Sequence, residues 1–135
     1  MITKVLGYLM TFAFVAAGMS KLYERHPMYA EMHAKSDAWL AALGLQPFMN
    51  GEQLCIVIGV TEVVAGLLVP FFRAANAVLI AVMLAAIYTH FRMDGGRITK
   101  EAAPAAFLLA LLMLLAVLRR SEKVAQQRLA EDKDE

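Results

Sequence analysis

Three ionisable side chains, Lys21, Glu62 and His90, fall within or at the ends of long apolar stretches. Glu62 lies near the middle of Leu54–Phe72, a run of nineteen residues without another charge. A carboxylate at mid-depth in a bilayer costs roughly 3 kcal/mol on insertion scales. It persists there if it is protonated, or if it faces protein, water or a partner cation instead of lipid. Lys21 ends the first apolar run and His90 ends the third, on the membrane side where the second run begins. Glu62 is eight residues beyond Leu54, about 12 Å along a helix, so Lys21 can reach part of the way. Two readings follow. Lys21, Glu62 and His90 form a polar cluster in a pocket open to the loop face, or Lys21 and Glu62 form a buried ion pair that fixes helix register.

Other reactive residues offer less. His26 and His33 are seven positions apart and could share a helix face. A metal site usually takes three or four ligands, so no metal is expected. Cys55 is the single cysteine, which excludes an intramolecular disulfide. There is no glycine-rich phosphate loop, paired-cysteine motif or nucleophile elbow, and Asp94-Gly95-Gly96 reads as a turn. The chain is therefore expected to be non-enzymatic and to carry no cofactor.

The elements that position these residues are apolar runs near 2–19, 54–72, 74–91 and 102–118. Each approaches the length of about 17–25 residues that a spanning helix needs. Of the 135 residues, 60% are hydrophobic, against about 45–50% in soluble domains. The expected fold is an all-α membrane protein: a four-transmembrane-helix bundle with an amphipathic interfacial helix after the first span. Residues 1–120 make one membrane domain, and 121–135 a charged tail read as a solvated helix end or as disordered. The first run also has some features of a secretory signal: Lys4, an apolar stretch, then Ala16-Ala17-Gly18. Cleavage there would strip Glu62 of a partner helix.

Helical spacing sorts small and polar residues onto particular faces. Gly7, Thr11, Phe14, Gly18 and Lys21 share one face of the first span, and Cys55, Gly59, Glu62 and Gly66 one of the second. Asn76, Ile80, Met83, Ile87 and His90 do so on the third. Gly7, Gly18, Gly59 and Gly66 are the predicted helix-packing positions, because small residues let backbones approach in lipid. In the long first connection, Pro27 and Gly44 bracket a helix near 27–43. Met28, Met32, Trp39 and Leu43 form its apolar stripe, read either as a partner-binding surface or as ordinary capping of the bundle.

Charge gives direction. The formal net charge of +1 offers no case for nucleic acid. Seven cations would lie on the face of Lys4, Arg73 and the tail, and six on the other. Arg119 and Arg120 abut a span, and Arg73 is the only charge in the short second connection. Their positions favour cytosolic termini.

Phe14-Val15-Ala16-Ala17-Gly18-Met19-Ser20-Lys21-Leu22 resembles the first-span motif of the DoxX-like membrane protein family, an apolar run closing in Gly-x-x-Lys-Leu. Ile58 to Leu68 resembles its second-span motif, Gly-x-x-Glu-x-x-x-Gly, and Ala85 to His90 the end of its third span. The likeness covers residues 1 to about 118. Tyr29-Ala30-Glu31-Met32, then Trp39 and Leu43-Gly44, resembles the animal transmembrane protein 35 branch, which includes an endoplasmic-reticulum chaperone for nicotinic acetylcholine receptors. This resemblance implies a non-enzymatic membrane chaperone. Its partners would be membrane lipids and membrane-protein clients such as ligand-gated ion channel subunits. Tyr88-Thr89-His90 is more similar to bacterial DoxX-like chains. Those imply the alternative, a subunit of a quinone-linked membrane oxidoreductase complex. The first reading places the protein in the endoplasmic reticulum membrane, the second in the bacterial inner membrane.

Overall fold

The computed structural model describes residues 2–134. Among them every regular element is helical: α1 (Ile2–Leu22), α2 (Tyr29–Leu43), α3 (Gly51–Leu68), α4 (Arg73–Met93) and α5 (Ala103–Asp134), the last preceded by a 3-10 turn at Lys100–Ala102. Helices α1, α3, α4 and α5 are long and apolar enough to cross a bilayer. Even α3, with 18 residues, extends about 27 Å, close to the ~30 Å hydrocarbon thickness. The chain is a multi-pass integral membrane protein built on an all-α bundle of four spans.

Local chemistry sets the helix ends. The apolar run of the second span continues to Phe72, yet α3 stops at Leu68. Pro70 has no N–H to donate, so the helical hydrogen-bond ladder ends there, although Val69 before it keeps helical dihedrals. At its other end α3 begins three residues before Leu54, at Gly51. The Asn50 side chain accepts from the Gln53 N–H at 2.8 Å, and Gln53 Oε1 accepts from the Asn50 N–H at 3.1 Å. This reciprocal capping box satisfies two backbone donors that a helix start otherwise leaves open. Helix α2 ends at Gly44, whose φ of 69° is left-handed. The Gly44 and Leu45 N–H groups return to Ala41 and Leu40, a close that glycine makes without a Cβ penalty.

The four spans form a ring in the order α1, α3, α4, α5, each touching its neighbours. No Cα of α1 comes within 8 Å of α4, nor does α3 approach α5. Phe14, Leu79, Leu112 and Leu115, all fully buried, fill the middle with Met10, Val69 and Met83. Helix α2 lies across the loop end and packs on α3, α4 and α1. Its fully buried residues are Ser36 and Leu40. The tail is not a separate element, because α5 continues through it to Asp134 with an exposed charged end.

Candidate functional site

The polar centre begins with a close contact between two helices. α1 and α3 run antiparallel and form the most extensive helix pair in the molecule. A Cβ on Gly18 would stand 2.5 Å from Val63 Cγ2 and 2.7 Å from the Gly59 carbonyl oxygen. One on Gly66 would stand 2.9 Å from Phe14 Cβ, and one on Gly7 3.1 Å from the Pro70 Cα. One on Gly59 would meet Leu22 Cγ at 2.9 Å and Lys21 Cβ at 3.0 Å. Glycine at these positions lets the two backbones meet. Thr11 fastens the same seam: its hydroxyl donates to the Gly66 carbonyl oxygen across the interface, at 2.7 Å.

That approach brings Lys21 to Glu62. Helix α1 runs three residues past the predicted end at residue 19, so Lys21 occupies its last turn and faces α3. The ammonium bends back along the helix. Nζ donates to Glu62 Oε2 at 2.9 Å and to the Ala17 carbonyl oxygen at 3.2 Å. Both side chains are at least nine-tenths buried. The lysine therefore points into the bundle and not out to the interface, and the two formal charges cancel inside it. Cys55, also fully buried, lies on the same face of α3.

Among the described residues no histidine hydrogen-bonds the Lys21 ammonium or the Glu62 carboxylate. His90 is half-buried on α4 and makes no hydrogen bond or ion pair with Lys21 or Glu62. Helical spacing put it on a stripe with Asn76 and Met83, which are buried. It could not show that α4 stands diagonally across the ring from α1, which keeps His90 apart from Lys21. His33 Nε2 donates to the Lys21 backbone carbonyl oxygen at 2.8 Å, tying α2 to the end of α1. His26 Nδ1 accepts from the Met28 N–H at 3.1 Å within the first connection. Among the described residues no three His, Cys, Asp or Glu gather as metal ligands.

The stripe on α2 is divided between surface and packing. Met28, just before the helix, is exposed, whereas Met32, Trp39 and Leu43 are half-buried. The inward anchors are instead Ser36 and Leu40. Ser36 Oγ donates to the His33 carbonyl oxygen at 2.6 Å, and Ser36 and Asp37 lie against Gly51 at the start of α3. A shallow cavity of about 420 Å³ opens beside them. On the outer side of α2, Lys35 donates to Glu31 at 2.9 Å, and this bond raises the lysine's pKa above its ordinary value. Exposed pairs of this kind contribute little to stability.

A second polar centre sits at the opposite end of the bundle. Arg119 donates to the Val69 carbonyl oxygen, and Arg73 to the Arg119 carbonyl oxygen at 3.4 Å. Asn76 Nδ2 donates to the Leu112 carbonyl oxygen at 3.2 Å. Sequence reasoning used Arg73 and Arg119 only as topology markers. Each abuts an apolar run, which was the available sign that the two would meet. No protein-family model matches the chain, and no curated protein matches it either.

Proposed function

We propose that this protein is a non-catalytic membrane chaperone that binds helices of client membrane proteins during their assembly. The observation that carries the reading is the engagement of the polar centre. The Lys21 ammonium and the Glu62 carboxylate are buried against each other between two helices in glycine contact. Such a pair holds register and leaves the outer faces of the bundle for intermolecular contact. Those faces combine large apolar and small residues. On α5 only Leu112 and Leu115 are buried, while Phe107, Met113 and Val117 face outward together with Ala106 and Ala110. Close helix approach in lipid needs surface of this kind.

The DoxX-like resemblance, and within it the likeness of the first connection to the transmembrane protein 35 branch, supports clients of the ligand-gated ion channel class. It also supports residence in the endoplasmic reticulum membrane. Met28 and Trp39 would add an adaptable apolar contact at the membrane surface. Trp39→Ala tests this reading in cells that co-express a nicotinic receptor subunit. Surface delivery of the subunit should fall by more than half while the chaperone's own abundance stays within about a fifth of wild type, because a half-buried surface residue changes stability modestly. A parallel fall in both quantities would make α2 a structural cap alone. A purified protein carrying bound quinone, with electron transfer abolished by Glu62→Gln, would establish the oxidoreductase-subunit alternative instead.

A further inference from the structure

The end of the bundle opposite α2 carries a groove between α4 and α5, with a volume of about 470 Å³. Its outer rim is formed by Arg73, Arg119, Arg120 and Lys123. No carboxylate lines it. Toward the span the lining changes to Ala77, Ile80 and Ala116, with Asn76 beside them. The groove is thus cationic at its outer end and mainly apolar toward the span.

Two further features leave donors unused at this place. The Nη2 of Arg119 holds the Val69 carbonyl oxygen, while its Nη1 and the Asn76 Oδ1 are both buried beneath the groove without a partner, so Nη1 reaches a ligand only if the guanidinium turns outward. Buried donors without partners are rare and costly. Helix α4 starts at Arg73, and Phe72 before it supplies no side-chain cap. Its first N–H groups therefore point out of the helix at the rim, where a helix start favours negative charge. Glu122 lies close enough to act on Arg119, yet four cations against one carboxylate leave net repulsion, which an anion relieves.

We propose that this groove binds an anionic phospholipid, with its phosphate among the four cations and an acyl chain along Ala77, Ile80 and Ala116. The apolar inner half selects a lipid over a free anion, since inorganic phosphate gains nothing from it. Basic recesses between membrane helices are suited to such headgroups.

Native mass spectrometry of the purified protein tests this, with phosphatidylglycerol and phosphatidylcholine of identical acyl chains added at equal concentration. The wild type should retain phosphatidylglycerol preferentially. Arg120 and Lys123 are exposed and make no side-chain hydrogen bond or ion pair among the described residues. Arg120→Gln combined with Lys123→Gln should reduce the preference about fivefold for each cation removed, the scale of one basic residue near an anionic surface. Arg73→Gln should reduce it through a different helix. Arg92→Gln with Lys100→Gln removes equal charge at the opposite membrane face and should leave the preference intact. Equal losses in the two double variants would overturn the site in favour of bulk charge. Absence of preference in the wild type would overturn it as well. Inorganic phosphate alone, at millimolar concentration, should not raise the thermal midpoint. An increase matching that from phosphatidylglycerol would overturn the lipid assignment.

Discussion

Replacing Glu62 with Gln removes the charge opposite the Lys21 ammonium while nearly preserving side-chain volume. The lysine is then a buried cation without a counter-charge, left with neutral acceptors such as the Ala17 carbonyl oxygen. Loss of one member of a buried pair costs about 3–5 kcal/mol. Glu62→Gln and Lys21→Met should each lower the thermal midpoint in detergent markedly. Lys21→Met with Glu62→Leu removes both charges and should regain most of that loss. A double variant whose loss equals the sum of the Lys21→Met and Glu62→Leu losses measured singly would show that the residues are not coupled. Gly18→Ala tests the close approach that makes the pair. The Gly59 carbonyl oxygen, 2.7 Å from the new Cβ, belongs to the backbone and cannot step aside. Overpacking of this kind costs about 1–3 kcal/mol. Gly7→Ala, whose Cβ meets Pro70 Cα at 3.1 Å, should cost less in the same thermal assay. At this scale the one-face spacing of Gly18, Lys21, Gly59 and Glu62 was legible in the chain. The neighbours of His90 were not, because periodicity gives the face of a helix but not which helix stands opposite.

Among the elements, the four spans were legible as apolar runs of bilayer length. Their ends required side-chain chemistry that hydropathy does not carry. Asn50 and Gln53 start α3 before its apolar run begins, and Pro70 stops it before that run ends. Asn50→Ala removes the acceptor for the Gln53 N–H and should cost about 1 kcal/mol. Gly44→Ala forces a Cβ into a left-handed close at φ 69°, at about 1–2 kcal/mol. Hydrogen exchange should register both locally: faster exchange at the first turn of α3 for Asn50→Ala, and at the last turn of α2 for Gly44→Ala. Protection in the middle of α4 should not change. Uniform loss of protection across all helices would mean that α2 and the bundle open as one unit. The inward anchors of α2, Ser36 and Leu40, were hidden by the more conspicuous Met and Trp residues. Its outer and inner faces are both mixed in polarity, so composition could not say which one packs.

For the whole molecule, the ring of four spans returns the chain to the face where it began. The Thr3 hydroxyl donates to Glu122 at 2.9 Å, so the start of α1 and the extended part of α5 adjoin. With Arg73, Arg119 and Arg120 on that face, the positive-inside rule predicts that both termini are cytosolic. A C-terminal tag should be cleaved by protease added outside sealed vesicles whose cytosolic face is outward. A protected tag would reverse the orientation. On the proposed reading Lys21 and Glu62 shape the bundle, while client contact is made by its outer surface. Surface delivery of a co-expressed receptor subunit, measured with the Lys21→Met, Glu62→Leu double variant at wild-type abundance, tests that claim most directly. The account predicts delivery close to wild type, with each single variant failing in proportion to its own loss of abundance. A double variant that folds and accumulates normally yet delivers no client would contradict it.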